Sequence, residues 1–185
     1  MANIATFVST DYIKEITAMN DAISGDKIRA VIVDVQRRYI EPILGTDLYD
    51  AINNKIVGST LTGNYKTLVD KWISPCVSWY VYAELIPEYA VRLDRGGVYR
   101  SQAENSQAAS KSELDYLQGK QFKKAEFYSQ RLVEYLCNNS SLFPEYTSNS
   151  DEDLRPIKPS VFNVFGLDDT SGKIEYLRKW GMGEN

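Results

Sequence analysis

A run of three carboxylates, Asp151, Glu152 and Asp153, is the clearest candidate for metal chemistry, because oxygen ligands suit divalent cations. Adjacent carboxylates in a polar segment more often form a solvated charge run, and no paired base or oxyanion donor accompanies them. The chain has no histidine, the commonest general base and metal ligand. We therefore expect no catalysis, metal or cofactor, and we keep a metal-dependent enzyme as the less favoured alternative.

Two glycine-containing stretches resemble anion sites. GSTLTGNYKT, residues 58–67, nearly matches a phosphate-binding loop, but Asn64 occupies the place of the lysine and no strand precedes it. RLDRGGVYR, residues 92–100, places arginines around Gly96 and Gly97. We favour a loop between helices for the first stretch. For the second we favour a helix C-terminus complemented by cations and closed by glycine, over an anion site.

Composition argues against nucleic-acid and membrane partners. With 25 acidic and 21 basic residues the 185-residue chain has a net charge of -4, so it presents no overall basic field. The N-terminus has no basic region followed by a long apolar one, which favours the cytoplasm. The most apolar run, Trp72 to Ile86, is shorter than the roughly 20 residues that span a bilayer. Cys76 and Cys137 indicate buried thiols in a reducing compartment, with a disulfide as the open alternative.

Apolar periodicity predicts two N-terminal helices. The first should be capped by Ser9 or Thr10 and end near Gly25, and it carries Tyr12, Ile16, Met19 and Ile23. The second should cover residues 27–44. Its AVIVDV core is rich in β-branched residues, but eighteen residues exceed an ordinary strand.

The stretch RRYIEPILGTDLYDAI, residues 37–52, predicts a corner between two helices. Pro42 should bend the first helix near its end, Gly45 should close it in a left-handed conformation, and Thr46 should cap the next. A DNA-reading helix-turn-helix is the functional alternative. TDLYDAINN carries two aspartates where such a helix needs basic or amide residues, so we favour a structural corner.

Two longer helices should follow. One begins at Thr62 or Asn64, is kinked by Pro75 and bent or ended by Pro87, and is apolar on nearly every face between Trp72 and Tyr82. The other follows capping boxes at Ser101–Glu104 and Ser110–Glu113 and runs to about Asn138. The seam of this last helix comprises Leu114, Leu117, Gln121, Ala125, Tyr128, Leu132 and Tyr135.

The composition changes after Phe143-Pro144. Residues 147–160 are polar with two prolines and should be extended or mobile. VFNVFGL, residues 161–167, is too apolar to stay in water, and a short helix is expected from about Lys173 to Trp180. The sequence leaves open whether this arm docks on another subunit, for example as an added strand, or folds back on its own bundle.

We therefore predict an all-α fold, a bundle of four to five helices over residues 1–146 with an extended C-terminal arm over residues 147–185. Thirteen tyrosines and three tryptophans fit an interface protein. An aromatic core is the alternative explanation, and the two are not exclusive. The candidate subunit or partner interface comprises Trp79, Tyr82, Tyr99, Val161, Phe162, Val164, Phe165, Leu167 and Trp180.

The order of the helices and two sequence blocks resemble head-tail connector (adaptor) proteins of tailed bacteriophages, especially the ring protein below the portal in crAss-like and related Bacteroidales phages. The resemblance covers about residues 5–140 and excludes the arm. The residues that carry it are Tyr39, Ile40, Pro42, Leu44, Gly45, Leu48 and Tyr49 in the first block, and Leu68, Val69, Ile73, Pro75, Leu85 and Gly97-Val98 in the second.

The resemblance implies a non-enzymatic virion protein at the phage neck, made in the host cytoplasm. Identical copies would form a ring, expected to be a dodecamer, between the portal protein and the next tail or neck protein. Genomic DNA would pass through the lumen without specific binding, which an acidic balance suits. A soluble helical adaptor or regulatory subunit with no virion role is the alternative.

Overall fold

The computed structural model describes residues 4–94, 97–100, 110–148 and 154–157. Within these ranges the chain forms five main helical rods, which confirms the all-α prediction. The rods are α1 (Thr10–Ile16), α2 with α3 (Gly25–Val35 and Glu41–Leu44), α4 (Thr46–Val57), α5 with α6 (Gly63–Leu68 and Ser74–Ala90) and α7 (Lys111–Asn138). A 3-10 turn, Ser140–Leu142, and a short helix α8, Pro144–Ser148, follow.

Two rods contain a π-helical turn just before a proline. Residues Gln36–Ile40 join α2 to α3, and Val69–Ile73 join α5 to α6. Pro42 and Pro75 each lie two residues beyond the turn. A proline lacks the amide proton and crowds the carbonyl four residues earlier, and the wider turn relieves that crowding. The disruption predicted at both prolines therefore takes the form of a π turn within a continuing rod, whereas α6 passes Pro87 and ends at Ala90.

The first rod is shorter than its sequence pattern predicted. The Ser9 hydroxyl accepts a hydrogen bond from the Tyr12 amide, which confirms the N-terminal cap. The helix ends at Ile16 and not near Gly25, which instead begins α2. The Asn20 side chain accepts a hydrogen bond from the Ala22 amide, so a local turn replaces the helix there.

A β-hairpin replaces the predicted helix C-terminus at residues 91–100. Strand β1, Val91–Asp94, pairs antiparallel with β2, Gly97–Arg100, with Val91 opposite Arg100 and Asp94 opposite Gly97. The prediction was wrong because this stretch holds β-branched and aromatic residues, Val91, Val98 and Tyr99, which favour strands. The first predicted capping box, Ser101–Glu104, lies outside the described residues.

α6 lies at the centre of the bundle, as its all-round apolar character predicted. It packs against α1, α2 and α7, and it buries residues on several sides, among them Cys76, Val77, Tyr80, Val81 and Leu85. α7 begins with the predicted Ser110–Glu113 capping box. Its seam buries Gln121, Ala125 and Leu132, but Leu117 is 43% exposed, contrary to prediction, and Leu136 is buried instead.

The N-terminal segment is held by side chains of the helical rods. Gln36, fully buried on the π turn, accepts a hydrogen bond from the Phe7 amide at 2.7 Å and donates to the Ala5 carbonyl at 3.0 Å. Ser74 donates to the Phe7 carbonyl, and Asn53 accepts from the Ala5 amide. These bonds satisfy backbone groups that would otherwise be buried without partners.

The corner between α3 and α4 receives the beginning of the arm. Gly45 has φ +76° and is itself the N-cap of α4, so the predicted cap by the Thr46 side chain was wrong. The Thr46 amide donates to the Leu154 carbonyl at 3.2 Å, and the Ile157 amide donates to the Pro42 carbonyl at 3.0 Å. The boundary predicted after residue 146 falls inside α8, where Tyr146 is buried.

Candidate interaction surface

The surface of interest forms where α6 and α7 pack side by side. Polar contacts fix their register: the Ser129 hydroxyl lies 3.1 Å from both the Cys76 sulfur and the Tyr80 hydroxyl. Trp72 stacks on Tyr135 with ring centroids 4.6 Å apart. This register places the outer residues of the two helices beside one another along a shared edge.

An open depression of about 400 Å³ lies on this edge, and we call it the aromatic groove. It is lined by Trp79 from α6 and by Lys123, Lys124, Phe127 and Tyr128 from α7. The Lys124 ammonium lies 4.0 Å from the centroid of the Trp79 ring, a cation–π contact that holds both side chains in place.

Further aromatic and basic residues extend the groove along both helices. The Arg131 guanidinium lies 5.5 Å from the Trp72 ring and 5.7 Å from the Phe127 ring. Tyr82 packs edge-on against Trp79 at 6.2 Å. Phe127 is 53% exposed and Tyr116, nearer the start of α7, is 71% exposed. Aromatic rings left in water beside cations are typical of a binding surface.

The structure brings together two of the residues predicted for the interface, Trp79 and Tyr82. The backbone of Tyr99 lies in β2. The remaining predicted residues lie outside the described part of the chain: Val161, Phe162, Val164, Phe165, Leu167 and Trp180. The carboxylate run Asp151–Asp153 also lies outside it.

Sequence reasoning missed the contribution of α7 to this surface. Lys123, Lys124, Phe127 and Arg131 were not predicted as interface residues, and Tyr128 was assigned to the packing seam. One feature of the sequence could have indicated that α7 contributes to this surface. Phe127 falls off the seam, on the otherwise polar face of the helix, where an aromatic residue has no core to enter.

A second cluster, between the π turn Gln36–Ile40 and α6, is structural. The Tyr39 hydroxyl donates to the Glu84 carboxylate at 2.6 Å, and Arg38 forms a salt bridge with the same carboxylate at 2.9 Å. Tyr39 also stacks on Tyr80 with centroids 4.2 Å apart. Burial, followed by the Glu84 carboxylate, raises the pKa of Tyr39, so the phenol stays protonated and keeps donating.

The groove is suited to binding a ligand through direct contacts with its aromatic and basic side chains. In the described ranges no three Asp, Glu or Cys side chains are grouped so that they could hold a metal ion. None of the helices described combines the length and apolar character that crossing a bilayer needs. Cys76 and Cys137 are free thiols. Rings flanked by ammonium and guanidinium groups offer complementary contacts to an apolar or aromatic segment with an acidic end.

The chain belongs to a family of unknown function (DUF6712), which matches residues 40–155, more than half of the sequence. The match begins at the π turn before Pro42 and includes the helices that carry the groove. No curated protein matches the chain, and no solved structure matches it.

Proposed function

We propose that this protein is a structural component of the neck of a tailed bacteriophage. In this proposal identical copies form a ring, expected to be a dodecamer, that joins the portal protein to the next neck or tail protein. Genomic DNA passes through the lumen without specific binding. The protein acts in the virion after synthesis in the host cytoplasm.

The observation that carries the proposal is the aromatic groove and its extension along α6 and α7. A small chain that leaves Phe127 and Tyr116 largely exposed gains free energy by burying them against another protein, at roughly 25 cal/mol per Å² of apolar surface. Closed rings need such surfaces on each copy, because every subunit contacts its neighbours in the same way.

The arrangement of the rods also supports the proposal. The first sequence block that resembles connector proteins lies at the α3–α4 corner, and the second lies along α5 and α6 apart from Gly97-Val98, which belongs to β2. The apolar residues of the helical parts are buried, including Ile40, Leu44, Leu48, Ile73 and Leu85. These residues build the bundle, which leaves the outer edge of α6 and α7 for contacts with other proteins.

The direct test is assembly with a portal ring. The protein is purified alone and with the portal protein encoded beside it, and native mass spectrometry and electron microscopy record the species formed. We expect a ring on the portal vertex, even if the protein alone is monomeric. A protein that never associates with portal rings would contradict the proposal, as would metal-dependent turnover of a substrate in its place.

A matched pair of variants tests the surface. Phe127→Ala removes an exposed ring from the groove, and we expect it to weaken ring assembly at least about tenfold, the effect of a central interface residue. Val57→Ala, which truncates an exposed side chain at the end of α4, serves as the control and should leave assembly unchanged. Equal effects of the two changes would show that assembly uses another surface.

A further inference from the structure

The aromatic groove has an apolar floor and a basic edge that nothing in the described ranges covers. Phe127 and Trp79 provide the floor, and Lys123 and Lys124 provide the edge. Neither lysine forms a salt bridge with another residue of the described part of the chain. The groove thus offers a ligand two kinds of contact at once: apolar burial and pairing with carboxylates.

One segment of this chain has the matching pattern. Residues 161–169, VFNVFGLDD, place five apolar side chains before two adjacent aspartates. Its phenylalanines suit the floor, because offset and edge-on ring pairs add about 0.5–1.5 kcal/mol to area burial. Asp168 and Asp169 suit the lysine edge.

Residues 154–157 fix where the arm leaves the corner. The Leu154 carbonyl accepts a hydrogen bond from the Thr46 amide, and the Ile157 amide donates to the Pro42 carbonyl. Residues 154–157 therefore run antiparallel to residues 42–46, from the start of α4 back along the α2–α3 rod. One helical turn further along that rod, Tyr39 stacks on Tyr80, and its ring lies 6.3 Å from that of Phe122.

Phe122 is the residue immediately before Lys123. The 11 residues from 158 to 168 span up to about 36 Å when extended, at roughly 3.3 Å each. This length exceeds the width of a few packed helices, which lie about 8–10 Å apart. The segment can therefore reach the groove of its own molecule.

We propose that residues 161–169 occupy the aromatic groove of their own molecule in the unassembled protein. A tether of this length keeps the segment at an effective concentration of the order of millimolar, so docking within one molecule outcompetes docking on another copy. The inference does not depend on the ring. A protein that never joins a portal would still cover its groove in this way.

Photo-crosslinking of the full-length protein tests the occupant. Phe165 is replaced by p-benzoyl-phenylalanine, and equal amounts of isotopically light and heavy protein are mixed before irradiation. We expect crosslinks to Trp79 and to residues 123–128, all within one isotopic form. Light–heavy crosslinks would show that a second copy supplies the segment, and crosslinks elsewhere or none would show that the groove is not its site; either result overturns the proposal.

Charge exchange tests the lysine edge. K123E/K124E and D168K/D169K should each lower the crosslink yield about fivefold, the effect of two partly exposed ion pairs, and combining all four changes should restore it. K71E/K111E changes two exposed lysines outside the groove and should leave the yield unchanged. Circular dichroism verifies that each variant is folded. A yield indifferent to K123E/K124E, or no recovery in the combined variant, would contradict the pairing.

Discussion

At the scale of single residues, Gly45 decides how the arm meets the bundle. Its φ of +76° and ψ of 157° lie in a region that only glycine occupies readily. A Cβ atom at this position would lie 2.8 Å from Cδ of Pro156 and 3.1 Å from its backbone nitrogen. The glycine therefore serves both the turn into α4 and the close approach of the chain at Pro156.

We predict that Gly45→Ala lowers the free energy of unfolding by about 3 kcal/mol, since backbone strain and a steric clash add. Gly63→Ala is the control, because Gly63 also has a positive φ of +58° but a Cβ atom added there would meet nothing within 4 Å. It should cost about 1 kcal/mol. Urea denaturation measures both, and equal losses would mean that the contact with Pro156 contributes nothing.

Cys76 links the stability of the bundle to alkaline pH. Burial raises the pKa of this thiol from 9.0 to about 12, against a smaller lowering by the hydrogen bond between Cys76 and Ser129. The folded protein keeps the thiol neutral where the unfolded chain ionises it. The stabilising contribution is therefore complete below about pH 9 and is lost as the pH rises toward 12.

We predict that Cys76→Ala makes the free energy of unfolding less dependent on pH between about 9 and 10, so that the gap to the parent protein narrows as the pH rises. Burial and the Glu145 carboxylate raise the pKa of Tyr65 from 10.0 to about 12, so the contribution of its hydroxyl is complete below about pH 10. Tyr65→Phe should therefore lower the free energy of unfolding at neutral pH and change its pH dependence only above about pH 10. Urea denaturation at several alkaline pH values measures both effects. An unchanged slope in Cys76→Ala would refute the assignment.

At the scale of elements, the two long rods depend on π turns that admit a proline without ending the helix. In the first, the Glu41 amide bonds to the Gln36 carbonyl five residues earlier, and in the second the Ser74 amide bonds to the Val69 carbonyl. The first turn also presents Gln36 to the N-terminal segment. Ser74, directly after the second π turn, donates a hydrogen bond to the Phe7 carbonyl of the same N-terminal segment. Both π turns therefore help to hold that segment on the bundle.

α7 contains one residue that weakens it, Gly119, which has nothing within 4 Å of a potential Cβ atom. We predict that Gly119→Ala raises the free energy of unfolding by about 0.5–1 kcal/mol, because alanine loses less backbone entropy in a helix. Thermal and urea denaturation measure the gain. A loss of stability would indicate that a residue outside the described ranges packs against this position.

At the scale of the whole molecule, the bundle and the arm are joined through the corner at Gly45. α8 and residues 154–157 contact the bundle, whereas the apolar segment beyond them carries the complementarity to the aromatic groove. The candidate interaction surface is thus an edge of the bundle, and the arm is the part of the chain that we propose covers it.

Two truncations separate these roles. We predict that removing residues 158–185 leaves the bundle folded and lowers the free energy of unfolding only by what docking of residues 161–169 contributes, about 1–2 kcal/mol, because the core and both bonds at the corner remain. Removing residues 149–185 also deletes those two backbone bonds and should cost about 1–3 kcal/mol more. Urea denaturation followed by circular dichroism compares the two truncated proteins. If the protein without residues 158–185 were unfolded, the arm would be part of the core.

The amino-acid sequence by itself determined the helical rods. Apolar residues at helical spacing, the Ser9 cap, the Ser110–Glu113 capping box and the prolines act within a few residues of one another, so local chemistry predicts them. The same local rules predicted the corner at Gly45. The predictions of function stay predictions, because they concern contacts with other molecules.

Tertiary structure alone decided the remaining features. The close approach of residues 154–157 to the corner at Gly45 and the groove between α6 and α7 depend on residues brought together from distant positions. Phe127 is a lone aromatic residue in the sequence, and it becomes part of a surface only because the register of α7 on α6 sets it beside Trp79. Such registers follow from packing across the whole core, which local periodicity does not specify.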